Sequence, residues 1–259
     1  MARHARDRIV AAFNQDRHFI AKNWTRMSRA KQLGCKFFRR SSFKVPTAIN
    51  FDSEATLAIS YPRGEKGVKY AFLDIFLDDV YGIASLPTCQ TILDIGAHIG
   101  FFSIAARRRF PSATIHAYEP NVELLPYLQK NLATIDVDVF DEGIGLSAGK
   151  LSLTVADDSV CTRSHESANG DIAQTAFATA VERIGGTVDL LKMDCEGAEW
   201  RFLGDTASWQ KVKNLRMEFH LFEREQTLAK LSSQLKVMGF EVDFVRPEGD
   251  SGILHAHRA

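Results

Sequence analysis

The stretch TILDIGAHIGFFSIAARRRF, Thr91–Phe110, sets Asp94, Gly96, Ala97, His98 and Gly100 between an apolar run of strand character and a helical one. In open α/β sheets, a strand that leads through a glycine turn into a helix is where nucleotide-like cofactors bind. The glycines here are spaced G-x-x-x-G, and His98 stands where a dinucleotide fold needs its second glycine. Close approach of a pyrophosphate is therefore disfavoured.

A ligand without phosphates can still use such a turn. S-adenosylmethionine needs a tight backbone wall against its methionine portion, carboxylates or backbone groups around its amine, and an acidic residue for its ribose hydroxyls. Asp94 and Gly96 suit the first two needs. The third is met by AYEP, in which Glu119, followed by Pro120, lies 23 residues after Gly96, close to the offset expected of an acidic ribose partner. Asp141 and Glu142, at the end of a third strand, are placed to meet the adenine.

A second motif, DLLKMDCEGAEW, runs from Asp189 to Trp200. Asp194 falls at a strand end, next to the reactive end of such a cofactor. Glu196 and Glu199 flank Gly197 in a first helical turn, where the helix dipole also favours negative charge. In LRMEFHLF, Glu218 and His220 share one strand face while Met217 and Phe219 take the other. Beside Asp194, His220 is placed to take a proton from a substrate hydroxyl. The alternative is that Asp194, Glu218 and His220 gather a divalent ion. Their spacing matches no compact ligand motif, and no metal ligand is assigned.

These residues need a scaffold, and the pattern supplies one. Strand signals fall at Thr91–Ile95, Thr114–Tyr118, Val137–Phe140, Val188–Met193, Leu215–Phe219, Phe240–Val245 and Ile253–Ala256, with Leu151–Val155 as an extra β segment. Helical patterns occupy about 101–109, 122–133, 198–204 and 223–238, with Asn121 as an N-cap and Gly239 just past a C-terminus. Strand–helix alternation predicts an α/β fold, doubly wound around a mostly parallel sheet with helices on both faces. The last two strands, joined by RPEGDSG, form a C-terminal antiparallel hairpin. Upstream, residues 43–62 read as a small β-hairpin and YAFLDIFLDDVYGIASL as a helix. The polar segment Ala156–Phe177, with Asp157, Asp158, Ser159, Arg163 and His165, reads either as an acceptor lid or as a mobile surface loop.

Charge divides the chain. Residues 1–50 hold 12 Lys and Arg against Asp7 and Asp16, a net +10, so the remainder carries −10 and the whole is neutral. The division expected is a basic N-terminal arm plus hairpin over 1–69 and a catalytic domain over 70–259. Over 1–42 the arm suggests one or two polar helices with Arg and Lys outermost, packed on their own domain or making weak contact with an anionic surface. Nucleic acid is not the expected partner. The arm has neither a bilayer-length apolar run nor a secretory pattern, and a cytoplasmic protein is expected. Cys35, Cys89, Cys161 and Cys195 lack CxxC spacing, which argues for free thiols and against a cysteine zinc site.

Taken together, LDIGAHIGFFS, AYEPNVELLPYLQKNL, EGIGLSAGKLSL, LLKMDCEGAE and RMEFH resemble the FkbM family of S-adenosylmethionine-dependent methyltransferases over about residues 70–245. The resemblance implies a class I, Rossmann-like methyltransferase with a seven-stranded sheet. It also implies O-methylation of a hydroxyl on a sugar or other small natural product, with Asp194 bordering the active site. His98 departs from the smaller polar residue, such as Asn, often found in that turn. Two other classes stay open at this stage. One is a nicotinamide-dependent oxidoreductase; the other is a non-catalytic protein docking through its basic arm.

Overall fold

The computed structural model describes residues 22–154, 163–167 and 169–258, with the backbone alone over 163–166. The rest of the basic arm, together with Asp157, Asp158, Ser159 and Cys161, lies outside the described residues. The chain opens with helix α1 (22–32) and a hairpin of β1 (Ala48–Asn50) and β2 (Thr56–Ala58). Helix α2 (Lys66–Phe72) runs on as a π-helical turn over Leu73–Asp78. Asp79, in the left-handed region at φ 52°, ends it. Its carboxylate accepts the backbone N–H groups of Ile83 and Ala84.

Then follow β3 (Thr91–Ile95), α3 (Phe101–Arg109), β4 (Thr114–Tyr118), α4 (Leu125–Leu132) and β5 (Asp138–Phe140). A small second sheet uses β6 (Gly143–Gly145), β7 (Gly149–Thr154), β8 (Arg163–Glu166) and β9 (Ile172–Ala176) in the order β6-β9-β7-β8. The remaining elements are α5 (Phe177–Arg183), β10 (Val188–Met193), α6 (Glu199–Phe202), α7 (Thr206–Trp209), β11 (Val212–His220), α8 (Leu228–Val237), β12 (Phe240–Glu248) and β13 (Ser251–Arg258).

The main sheet has seven strands in the order β12-β13-β11-β10-β3-β4-β5. The pairs β11–β10, β10–β3, β3–β4 and β4–β5 are parallel; β13 pairs antiparallel with both β11 and β12. The expected fold class holds. Ile92, Leu93, Leu190 and Leu191 are fully buried, as near-continuous apolar strands of a sheet covered on both faces must be. Strand order reverses between β3 and β10, which fixes where a ligand crevice opens.

Local boundaries differ where capping chemistry decides them. Asn121 is not the N-cap of α4, which begins after Leu124. Instead Asn121 closes the preceding turn, its Oδ1 accepting the Glu123 N–H at 3.0 Å and its carbonyl those of Leu124 and Leu125. Helix α8 starts at Leu228 rather than 223, because Thr227 caps it by accepting the Lys230 N–H. Helix α6 is only four residues long, Glu199–Phe202. Gly239 does follow α8, with φ 88°. Of the segment expected to be a lid or a loop, β8 and β9 belong to the second sheet, with Arg163 and His165 in β8.

The arm is also more than a solvated helix. Arg26, expected outermost, is buried: its Nε and Nη2 each donate to the Asp78 carboxylate at 2.6 Å. Asp78 ends the π-helical turn, and a carboxylate so buried needs a cation. Ala30, Leu33, Phe37 and Ile49 join the same apolar cluster as Phe72, Ala97, Phe101 and Leu128. The division expected at 69/70 falls inside α2. Among the described residues no helix is long and apolar enough to cross a membrane. Arg26→Met leaves Asp78 buried without its partner and is expected to lower unfolding free energy by about 3–5 kcal/mol. Urea denaturation checks it, and an added Asp78→Asn should recover part of the loss.

Candidate active site

The carboxyl ends of β3, β4, β10 and β11 open into one cavity of about 530 Å³, within the ~300–1,000 Å³ span of small-molecule sites. Its first wall is the glycine turn. Gly96 has φ 76°, and a Cβ there would lie 1.8 Å from the Asp194 carbonyl oxygen, so no side chain fits. The backbone N–H groups of Gly96 and Ala97 donate to the Tyr118 carbonyl and tie the turn to β4. His98 is left-handed as well, at φ 54°, a region that Asn, Asp and His enter more readily than most residues. That explains how histidine replaces a smaller polar residue here.

Glu119 is 7% exposed at the end of β4. Its Oε2 accepts the His98 N–H at 2.7 Å and its Oε1 the Asn121 N–H at 2.8 Å. Burial pushes its pKa up to about 7, against the lowering by those two donors. Burial and the Lys192 charge pull the His98 imidazole down to about 4, leaving it neutral. Gly96, Ala97, His98, Glu119, Pro120 and Glu142 all line the cavity. Glu142 is paired with Arg183 at 3.0 Å.

Three expected cofactor residues stand elsewhere. Gly100 forms the turn behind the wall, packed on Leu128 and Leu132. Asp141 is exposed and does not line the cavity. Asp94 is fully buried beneath the floor, where its Oδ2 accepts the Ser103 hydroxyl at 2.6 Å and its Oδ1 lies 3.4 Å from Lys192 Nζ. Direct contact with a cofactor amine is thus replaced by support for Lys192.

At the other end Asp194, Glu218 and His220 come together as expected, with Met217 and Phe219 in the core behind them. Lys192, 3% exposed, also stands 3.8 Å from Asp194 Oδ2 and donates to the Gly96 carbonyl. Burial lowers the Lys192 pKa, but Asp94 and Asp194 hold it above its ordinary value. His220 Nδ1 is 3.2 Å from Glu199 Oε1, and Nε2 is 3.4 Å from Glu196 Oε2. Burial opposes its charge, yet Glu199, Asp194 and Glu196 raise its pKa to about 9. Both ring nitrogens thus face carboxylates, and the raised pKa favours the charged imidazole over the neutral form that a base requires. Glu218, pushed up to about 8 by burial and by Asp194, has no hydrogen bond or ion pair among the described residues.

Lys192 and Tyr81 were assigned no role from sequence, and Glu196 and Glu199 only a place in a first helical turn favoured by the helix dipole. Lys192 was legible in part: two residues before Asp194 on a strand, it shares Asp194's face. Its pairing with Asp94 depends on the register that sets the two opposite each other on β10 and β3. Tyr81, buried against the same carboxylates and pushed up by burial, gives no sequence signal of its own. Nor do Tyr70 and Asp74 of the helical entry or Arg246 of the C-terminal hairpin, all of which line the cavity.

A glycine turn and terminal carboxylate on one side of the switch point, an acidic cluster on the other and an antiparallel edge hairpin give the chain a class I, Rossmann-like architecture. The Methyltransferase FkbM domain family matches residues 94–246, more than half of the chain, and the chain belongs to that family. Its cofactor is S-adenosylmethionine, which sets the nicotinamide reading aside. Methyltransferase sdnD of Sordaria araneosa is 29% identical over 244 residues, covering 78% of this chain and 92% of sdnD. Methyltransferase 1 of Beauveria bassiana (strain ARSEF 2860) is 27% identical over 217 residues, covering 72% and 86%. Among solved structures, magnesium protoporphyrin IX methyltransferase (ChlM) from Synechocystis PCC 6803 with bound SAM is 14% identical. It aligns with a TM-score of 0.46 over 75% of this chain and 83% of its own.

Gly96→Ala tests the turn. The new Cβ must displace the Asp194 backbone as well as hold a strained φ, itself worth about 1–3 kcal/mol. A lower melting temperature and loss of S-adenosylhomocysteine binding by calorimetry are expected; unchanged binding would contradict the close approach.

Proposed function

We propose that the protein transfers the methyl group of S-adenosylmethionine to a hydroxyl oxygen of a sugar or another small natural product. The observation that carries this reading is one cavity lined both by Glu119 and by Glu218, whose carboxylate has no hydrogen bond or ion pair among the described residues. A hydroxyl becoming an ether must shed its proton, and the ionised form of Glu218, which gains population as pH rises through about 8, takes it. Glu119 accepts the ribose hydroxyls, the Gly96–Ala97 backbone backs the methionine portion, and Glu142 stands on the adenine side. Asp194 orients the acceptor or the cofactor amine, and His220 holds the acceptor end together with it.

The acceptor oxygen attacks the methyl carbon in line with the departing sulfur. As the new C–O bond forms, the C–S bond breaks with its electron pair going to sulfur, and S-adenosylhomocysteine leaves. The hydroxyl proton passes to Glu218. Such a reaction draws mainly on positioning of the two reactants. A base of this kind adds about 10²–10⁴-fold, so Glu218→Gln should lower kcat by that range while S-adenosylhomocysteine still binds. Near-normal turnover in a hydroxyl-acceptor screen with this variant would remove Glu218 from the chemistry.

The Glu119 pKa of about 7 makes cofactor binding pH-dependent. The ionised form accepts both ribose hydroxyls, and protonation takes away one acceptor oxygen. Affinity for S-adenosylhomocysteine should be level above the Glu119 pKa and fall as pH drops through it. A hydrogen bond to a charged group is worth about 1.5–3 kcal/mol, so Glu119→Gln should bind roughly 10–100-fold more weakly and lose the pH slope. Calorimetry from pH 5.5 to 8.5, values chosen to bracket that pKa, reads both effects.

A further inference from the structure

We propose that Asp194, Glu196 and His220 bind one divalent metal ion at the acceptor end of the cavity. One ligand atom from each lies within 4.8 Å of the others. Three donors about 2.1 Å from a common ion lie about 3.0–3.4 Å apart, so side-chain movements of up to about 1–2 Å close the set. All three residues line the cavity, and His220 itself is 4% exposed.

Two further observations point to an ion. The first is the orientation of the imidazole. Glu199, 1% exposed and fixed by the N–H groups of Cys195 and Gly197, engages His220 Nδ1 and turns Nε2 towards the carboxylates. Metal-binding histidines are held from behind by a carboxylate in this way. The second is Asp194: its Oδ2 faces Lys192 at 3.8 Å, while its Oδ1 is buried with no hydrogen-bond partner among the described residues. A buried carboxylate oxygen without a donor leaves an open ligand position beside His220.

Charge agrees with this. The carboxyl groups of Asp94, Asp194, Glu196, Glu199 and Glu218 converge here on one lysine, Lys192, and one imidazole, His220. Two carboxylates and one imidazole suit Mn²⁺, Fe²⁺ or Zn²⁺ better than Mg²⁺ or Ca²⁺, which favour all-oxygen shells. The positions not filled by protein would be taken by water or by the acceptor oxygen, whose acidity the ion raises. The inference rests on reading this end of the cavity as the acceptor side, and it gives His220 the role of ligand.

The test is titration of the full chain with Mn²⁺, followed by electron paramagnetic resonance, with calorimetry for Zn²⁺. One ion per chain is expected, with pulsed measurements showing nitrogen coupling from a single imidazole. Asp194→Asn and His220→Gln should each weaken Mn²⁺ binding by at least about tenfold, and Glu199→Gln, acting through His220, by about 10–100-fold. Circular dichroism and the melting temperature are measured on the same samples to show that each variant is folded. Absence of saturable Mn²⁺ and Zn²⁺ binding, Mn²⁺ bound without nitrogen coupling, or unchanged affinity in His220→Gln overturns the site. If S-adenosylhomocysteine binds and the metals do not, the metal site alone falls. If S-adenosylhomocysteine fails to bind the unaltered chain, the cofactor reading falls instead.

Discussion

The buried ammonium of Lys192 joins the two halves of the molecule. It stands on β10, beside Asp94 of β3 and Asp194 at its own strand end, and donates to the carbonyl of Gly96. These strands flank the point where strand order reverses, so one charge links the cofactor turn to the acceptor cluster. Removing an ion from such a group leaves a buried charge uncompensated, which is far more unfavourable than never having buried the group. The floor of the cavity is therefore held by electrostatics as much as by the apolar strands around it.

Above that floor, the site is shaped by backbone conformations that most residues avoid. Gly96, His98, Glu196 and Gly197 all have positive φ and lie in the two neighbouring turns that follow β3 and β10. At Gly96 the requirement is absolute, since the Asp194 carbonyl occupies the space of a side chain. At His98 and Glu196 the same conformation sits on residues with chemistry of their own. The His98 N–H then reaches Glu119, and the Glu196 carboxylate reaches His220. Turn geometry and site geometry are one feature here.

The N-terminal segment completes the enclosure. Through the Arg26–Asp78 pair and the shared cluster with Phe72 and Phe101, it fixes the π-helical turn whose residues Asp74 and Ile75 wall the acceptor side. The opposite wall comes from the last hairpin, through Arg246, Ser251 and Ile253. Segments from early and late in the sequence thus bound the same cavity, and most of the family match falls between them.

The strand–turn–helix at Thr91–Arg109, Glu119 at a strand end and the shared face of Glu218 and His220 were all legible from residue order. Each depends on local periodicity or on spacing along one chain segment. The parallel core and antiparallel edge followed from the same alternation. What residue order did not show are the contacts set by register and packing. Lys192 against Asp94, Glu199 behind His220 and Arg26 against Asp78 join residues brought together across strands or between distant segments. Asp94, read as a cofactor contact, lies buried against Ser103 and Lys192, and Asp141 is exposed and outside the cavity lining, because a carboxylate's neighbours determine its role. His220 shows the limit most clearly: its position on a strand face was local information, but its charge is set by Glu199, Asp194 and Glu196, which only the folded chain brings around it.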